Sequence, residues 1–170
     1  MPRAWQRVKA NKGAAGIDGM FIDAFNLWAQ QAGWQTGKIQ LEQGEYQPKA
    51  VRRVDIDKLN GGKRPLSIPT LLDRIIQQAI AQVLTPLLDA LFLDNSFGFH
   101  PNKNAQQAAF HVRNIIKSKR KFAVDVDLCK CFDRVNHDLL MTKLRNKVQD
   151  KRLLTLIGKY YVLVLWWMIS

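Results

Sequence analysis

Residues 50–88, AVRRVDIDKLNGGKRPLSIPTLLDRIIQQAIAQVLTPLL, contain the two patterns that decide the fold. Residues 50–57 alternate as a β-strand and, after a glycine-rich turn, residues 63–68 return as a second strand. Thr70 and Asp73 then form a capping box, after which apolar residues continue at helical spacing. The stretch therefore predicts a β-hairpin that leads directly into a long helix.

Shorter patterns lie on both sides of this stretch. Upstream, a turn-rich segment, GAAGIDG at residues 13–19, separates two helical patterns. Downstream, the apolar residues of the segment 122–128 predict a buried strand. Further helices are predicted over residues 4–12, 21–31, 39–43, 104–117, 138–147 and from 151 onward. Helices combined with a few strands predict the α+β class or the mixed α/β class. We predict α+β.

The charge of the chain indicates a polyanionic partner. In 170 residues, 26 Lys and Arg against 14 Asp and Glu give a formal net charge of +12. Nucleic acid is the first candidate and an anionic membrane surface is the second. The N-terminus has no apolar segment of signal-peptide length, and the longest apolar run, residues 162–169, is shorter than a membrane span. We therefore expect a cytoplasmic protein without a membrane partner.

Two carboxylates on the predicted strand indicate a metal site. Asp125 and Asp127 are two residues apart, so a strand would project both to the same face. Because like charges there repel each other and lose hydration, a divalent cation such as Mg²⁺ would stabilise the pair. The alternative is the end of a strand, with one solvated Asp and one capping Asp.

A cluster of cations on the predicted hairpin indicates a phosphate-binding surface. The glycines of its turn let backbone amides approach an anion, and the cations are Arg52, Arg53, Lys58, Lys63 and Arg64. The alternative is a solvated edge hairpin whose lysines discourage aggregation. Together with paired carboxylates, the cluster favours phosphoryl transfer, in which metal ligands and cations act on a nucleotide triphosphate.

Five runs of sequence resemble those of bacterial group II intron reverse transcriptases, also called intron-encoded maturases. They are KANKGAAGIDG at 9–19, RPLSIP at 64–69, DRIIQQAI at 73–80, SFGF at 96–99 and FDRVNH at 132–137. They occur in the same order as in that family and with similar spacing over roughly residues 4–158. The combined match is therefore more specific than any single motif. A retron or another bacterial reverse transcriptase is the nearest alternative family.

The resemblance implies a partial right-hand polymerase fold. Its parts would be an N-terminal extension over residues 1–48, fingers over 49–118 and the start of the palm over 119–158. Residues 159–170 do not resemble the family and are predicted as a hydrophobic tail.

The resemblance also assigns roles to individual residues. Asp127 is implied as the catalytic metal ligand, with the Leu128 carbonyl on the same ion and Asp125 as a neighbouring carboxylate. Phe132 is implied to lie under the incoming sugar. Lys58 and Arg64 are implied to grip the triphosphate, with Lys63 as an auxiliary nucleotide-binding cation. Predicted RNA-binding residues are Arg52, Arg53, Lys103, Lys119 and Arg120.

The implied function is RNA-directed DNA synthesis with Mg²⁺, together with intron RNA binding, splicing and retrohoming. The implied partners are intron RNA, an RNA template, a DNA primer and deoxynucleotides. These 170 residues contain no Tyr-Ala-Asp-Asp segment, which carries further metal carboxylates in relatives, so we expect this chain alone to be inactive. The alternatives are a non-catalytic RNA-binding remnant and a piece of a retron-type reverse transcriptase.

Overall fold

The structure is a computed structural model that describes residues 2–59, 61–120, 122–129, 131 and 134–169, with residues 163–169 described by their backbone. It contains two compact units. The first comprises the chain up to Gln82 together with the chain from His137 onward, and the second is Val83–Asn136.

The first unit begins with three helices, α1 (Pro2–Ala10), α2 (Ile22–Trp28) and α3 (Trp34–Gln43). A π-helical turn, Ala29–Gly33, connects α2 to α3, and the left-handed φ of +69° at Ala32 produces the kink there. The helices predicted upstream of the hairpin are thereby confirmed, although the third starts earlier than its weak pattern indicates.

The predicted hairpin and the long helix after it are confirmed. Strands β1 (Arg52–Asp57) and β2 (Lys63–Ile68) pair antiparallel, and helix α4 (Leu71–Asp89) follows. Gly61 and Gly62 have φ values of +78° and +84°, a backbone conformation that glycine adopts without steric cost. The main core forms where α4 packs on the first two helices, with Ala4, Val8, Phe25, Leu71 and Ile75 buried together.

The glycine-rich segment 13–19 packs closely on the start of α4. A Cβ atom at Gly16 would lie 2.7 Å from the Thr70 Cα, so only glycine allows this approach. The Arg74 Nη2 atom donates a hydrogen bond of 2.7 Å to the Ala14 carbonyl. The segment that carries part of the family resemblance therefore has a structural role in attaching the N-terminal helices to α4.

The second unit contains the end of α4, a loop and helix α5 (Ala105–Lys117). Helix α5 starts at a capping box in which the Asn104 and Gln107 side chains each accept from the other's backbone amide at 2.9 Å. The buried strand predicted over residues 122–128 is wrong, because this segment has no strand pairing and all of its residues are exposed. A strand needs a hydrogen-bonding neighbour, and the only sheet among the described residues is the hairpin.

Two helices complete the first unit, α6 (His137–Arg145) and α7 (Lys151–Ile169), where the sequence predicts them. Helix α7 continues through residues 158 and 159 without interruption, so the predicted tail continues the helix of the predicted palm. The predicted parts 1–48, 49–118, 119–158 and 159–170 stay predictions. In the described part of the chain, no helix is long and apolar enough to span a membrane. Helices with one small sheet agree with the predicted α+β mixture.

Candidate nucleotide and nucleic-acid site

The hairpin separates its cations onto two faces. In the register of the two strands, Arg64 lies opposite Ile56 and Lys63 lies opposite Asp57. Because side chains alternate along a strand, Arg64 lies on the face of Val54, and Lys63 on the other face. Adjacent residues that the sequence groups into one cluster therefore cannot act on the same side of the hairpin.

The two faces differ in electrostatic character. The face of Arg64 carries Arg52 and the apolar side chains of Val54, Ile56 and Leu66, all of them exposed. The face of Lys63 carries carboxylates as well as cations, and the Arg53 Nε atom lies 3.6 Å from the Asp55 Oδ1 atom. The face of Arg64 is therefore cationic without a carboxylate among its strand residues, which suits an anionic ligand.

The predicted glycine turn of the hairpin is formed. The Lys58 amide donates to the Gly62 carbonyl at 3.0 Å, and the Gly61 amide donates to the Lys58 carbonyl at 3.1 Å. Lys58 and Arg64 are both exposed close to this turn. Asn60, in the middle of the turn, lies outside the described residues.

The predicted metal ligands lie in the second unit on the segment 122–128, which has no regular secondary structure. Asp125 and Asp127 are exposed, and Leu128 is 68% exposed. Carboxylate oxygens are the donors that Mg²⁺ prefers, so both residues suit this ion chemically. However, no group of three or more His, Cys, Asp or Glu side chains comes together within the described ranges. The described residues therefore do not bring together a multi-carboxylate metal site, and Phe132 lies outside them.

The predicted RNA-binding residues of the second unit differ in their surroundings. The Lys103 ammonium donates to the carbonyls of Asp94 and Ser96 at 2.7 and 2.9 Å, and it lies 5.5 Å from the centre of the Phe97 ring. Lys119 and Arg120 follow α5 and are exposed. Lys103 therefore holds the loop that precedes α5, whereas Lys119 and Arg120 are accessible to a ligand.

His100 is part of an internal network. Its Nδ1 atom lies 2.5 Å from the Asp89 Oδ1 atom, and its Nε2 atom lies 2.8 Å from the Ser96 hydroxyl. Its ring packs edge-on against Phe92, with 4.9 Å between the ring centres. The His100 side chain is 8% exposed, so its role here is to fix the loop rather than to contact a ligand.

A buried carboxylate connects the two ends of the hairpin to α4. Asp73 is 1% exposed, and its Oδ2 atom accepts hydrogen bonds from the Thr70 hydroxyl at 2.6 Å and from the Lys49 amide at 3.2 Å. Lys49 precedes β1, and Thr70 follows β2. The Asp73 Oδ1 atom accepts hydrogen bonds from the hydroxyls of Tyr46 and Tyr160 at 2.8 and 3.0 Å. We call these five residues the Asp73 clamp.

Burial and the nearby carboxylate keep the two phenols of the clamp protonated. The pKa of Tyr46 and the pKa of Tyr160 are both raised far above the ordinary value of 10.0, first by burial and then by the charge of Asp73. The capping box revealed the local half of this clamp in the sequence. No spacing signal pointed to the tyrosines, which are 27 and 87 residues away from Asp73.

Comparison with known proteins assigns the family. Residues 55–167 match the family described as reverse transcriptase (RNA-dependent DNA polymerase). The chain belongs to this family. The match covers β2, α4, α5 and α6, half of β1, and most of α7 up to residue 167. It therefore extends into residues 159–167, which the sequence analysis did not assign to the family.

The curated relatives of this reverse transcriptase family member include intron-encoded proteins. The group II intron-encoded protein LtrA of Lactococcus lactis subsp. cremoris is 33% identical over 160 residues, which cover 92% of this chain and 26% of LtrA. The putative COX1/OXI3 intron 1 protein of Saccharomyces cerevisiae is 32% identical over 163 residues, covering 92% of this chain and 18% of the relative. The predicted resemblance to group II intron reverse transcriptases and maturases is thereby confirmed.

The relatives are much longer than this reverse transcriptase chain. Protein YkfC of Escherichia coli (strain K12) is 36% identical over 157 residues, which cover 88% of this chain and 41% of YkfC. The chain thus spans less than half the length of each of these three relatives.

Proposed function

We propose that this chain forms the fingers and the beginning of the palm of a group II intron reverse transcriptase, and that it binds RNA through the exposed cations of its hairpin. The observation that carries the proposal is the hairpin face of Arg64, which presents cations without carboxylates in a chain of this family. A net charge of +12 supports an RNA partner, because phosphates that contact Lys and Arg release their counterions.

Within this function, Lys58 and Arg64 contact the phosphates of the incoming deoxynucleotide. Both are exposed near the glycine turn, and a guanidinium can bind two phosphate oxygens at once. Lys63 and Arg53 lie on the opposite face, beside Asp55 and Asp57. We propose that Lys63 assists nucleotide binding, and that Arg52, on the face of Arg64, and Arg53, on the face of Lys63, contact the RNA backbone.

The proposed metal ligand is Asp127, with the Leu128 carbonyl on the same ion and Asp125 beside it. Mg²⁺ bound there would neutralise negative charge on the reacting phosphates. Phe132 is the proposed residue under the incoming sugar. The chain's own contribution is a pair of carboxylates on an exposed segment, which needs further acidic ligands to complete a two-metal site.

The proposed partners of the whole protein are intron RNA, an RNA template, a DNA primer and deoxynucleotides. Its proposed activity is RNA-directed DNA synthesis in intron retrohoming, with a further role in splicing. A cytoplasmic location, where an intron RNA partner would be met, is also proposed. For the 170 residues alone, a non-catalytic RNA-binding role is the second candidate, because they contain no Tyr-Ala-Asp-Asp segment.

Binding of structured RNA at a series of salt concentrations tests this proposal. We expect the association constant to fall steeply as salt rises, and the Lys58→Ala/Arg64→Ala variant to reduce the slope by about 1 to 2 on a log–log scale. The control is Lys38→Ala/Lys143→Ala, which removes the same charge from exposed helix positions outside the hairpin. Binding that does not depend on salt, or equal slopes for both variants, would contradict the role of the hairpin.

Primer extension with Mg²⁺ and deoxynucleotides tests the expectation that the chain alone is inactive. We expect no extension product from the 170 residues. A templated product that disappears in Asp127→Ala would show that this chain assembles a working metal site by itself.

A further inference from the structure

A groove in the second unit is lined by aromatic, amide and basic side chains. It lies between the loop that precedes α5 and the side of α5 that carries Gln106, Phe110 and Asn114, and its volume is about 960 Å³. Its walls include two aromatic rings, a histidine, a lysine and exposed amides: Phe97, Lys103, Gln106, Phe110, His111 and Asn114. Pockets of this size hold small ligands.

The side chains that would contact a base lie along one stripe of α5. Gln106, Phe110 and Asn114 are spaced by four residues, so the amides lie one turn before and one turn after the aromatic ring. Phe110 is 62% exposed, and both amide residues are also exposed. An accessible ring between two amide groups can stack on a base while the amides hydrogen-bond its edge.

The opposite wall of the groove is held in place. The Lys103 ammonium is fixed by two loop carbonyls and lies over the Phe97 ring. Phe97 in turn packs against His111, with 5.7 Å between the ring centres. The capping box fixes the start of α5. A preformed wall lowers the entropic cost of binding.

Charge favours a nucleic acid as the occupant. No carboxylate is among the described residues that line the groove. Seven residues after Phe110, Lys117 continues the same stripe of the helix, and the exposed Lys119 and Arg120 follow. A strand whose base occupies the groove would find cations for its phosphates at the C-terminal end of α5.

We propose that this groove binds one unstacked nucleobase of a single-stranded nucleic acid, with Phe110 stacking on the base and Gln106 and Asn114 hydrogen-bonding its edge. The inference rests on the proposed RNA-binding function and adds a second contact, which reads bases rather than phosphates.

The test uses the 170-residue chain and a short oligouridylate that contains one 2-aminopurine, whose fluorescence is quenched when it stacks. We expect quenching on binding, and an affinity about tenfold weaker for Phe110→Ala, the loss typical of one base stacking on an aromatic ring. The slope of affinity against salt should not change, because no cation is removed. Phe110→Trp should retain both the affinity and the quenching.

The matched control is Phe99→Ala, because Phe99 is fully exposed and does not line the groove. We expect this variant to bind as the unchanged chain does. A second variant, Gln106→Ala/Asn114→Ala, keeps the ring and should weaken binding while quenching persists. Comparing the affinity for the oligouridylate with the affinity for the matching DNA strand shows whether the groove prefers a base from RNA or from DNA.

The outcomes separate this inference from the proposed function. Salt-dependent binding with no quenching, or with Phe110→Ala equal to Phe99→Ala, would overturn the base site and leave the hairpin role intact. Absence of any binding to single-stranded or structured RNA would overturn both.

Discussion

Replacing Tyr160 by Phe tests whether the end of α7 is part of the folded core. The substitution removes one hydroxyl and keeps the ring. In the structure, that hydroxyl donates a hydrogen bond of 3.0 Å to the Asp73 Oδ1 atom. We expect Tyr160→Phe to destabilise the chain, because a buried carboxylate then loses one of its four donors.

The size of the effect follows from the surroundings of this bond. A hydrogen bond to a charged group contributes about 1.5–3 kcal/mol. The lower end applies here, because Tyr160 is half-buried and Tyr46 still donates to the same oxygen at 2.8 Å. We therefore expect a loss of about 1.5 kcal/mol in the free energy of unfolding. For a chain of this length, that corresponds to a decrease in Tm of about 5 °C.

Urea and thermal unfolding, followed by circular dichroism, measure this loss. The matched control is Tyr161→Phe, because the Tyr161 ring packs against His137 and the structure gives its hydroxyl no bond to Asp73. We expect the control to change the free energy of unfolding by less than about 0.5 kcal/mol. A double-mutant cycle with Tyr46→Phe should show coupling, since both phenols share one acceptor oxygen.

Equal stability of Tyr160→Phe and Tyr161→Phe would refute this reasoning. It would mean that the C-terminal part of α7 does not dock on the clamp in solution. Truncation after Gly158 would then leave the stability unchanged, as expected for a separate tail, whereas a docked helix end predicts a lower Tm for the truncated chain.

Three further predictions concern other parts of the structure. Gly16→Ala should cost about 2–3 kcal/mol by urea unfolding, because its Cβ would meet backbone atoms of Pro69 and Thr70, just before α4, at 2.7–2.8 Å. Gly98→Ala, with nothing within 4 Å, should be neutral. A tyrosine whose pKa is raised by folding stabilises the fold fully below its ordinary pKa of 10.0 and loses that contribution as pH rises above it. Alkaline unfolding should therefore have a shallower pH dependence in the Tyr46→Phe/Tyr160→Phe variant than in the unchanged chain. Lys103→Met should increase hydrogen exchange in the loop before α5, where its ammonium holds two carbonyls, without changing exchange in the first unit.

Elements with a complete local signal could be predicted from the sequence. Alternation around a glycine turn gave the correct hairpin, and the capping box of Thr70 and Asp73 gave the correct start of α4. The separation of Lys63 from Arg64 also follows from strand alternation alone, although the sequence interpretation pooled the two cations.

Elements that depend on distant partners could not be predicted in this way. The segment 122–128 has a strand-like composition. Composition indicates a preference for β-structure but does not supply the neighbouring strand with which a strand must form hydrogen bonds. The tyrosines of the Asp73 clamp come from a loop and from α7. Their hydroxyls can bond to Asp73 only after folding has brought these distant segments to α4. The candidate metal site could be predicted only in part from the sequence. Its predicted ligands share one exposed segment, and a complete site would need further acidic side chains from elsewhere.

The Asp73 clamp gives a structural reason why an exposed, strongly cationic hairpin can hold a defined position. A two-stranded hairpin is marginally stable by itself, and repulsion among its cations would loosen it further. Here one carboxylate oxygen accepts from Lys49 before β1 and from Thr70 after β2, so both ends of the hairpin are fixed to the same turn of α4. The cations near the distal turn stay accessible while the base of the hairpin is fixed. Preorganisation of this kind would lower the entropy lost in the proposed binding of phosphate by Lys58 and Arg64. Disruption of the clamp should therefore weaken that proposed binding without removing either cation.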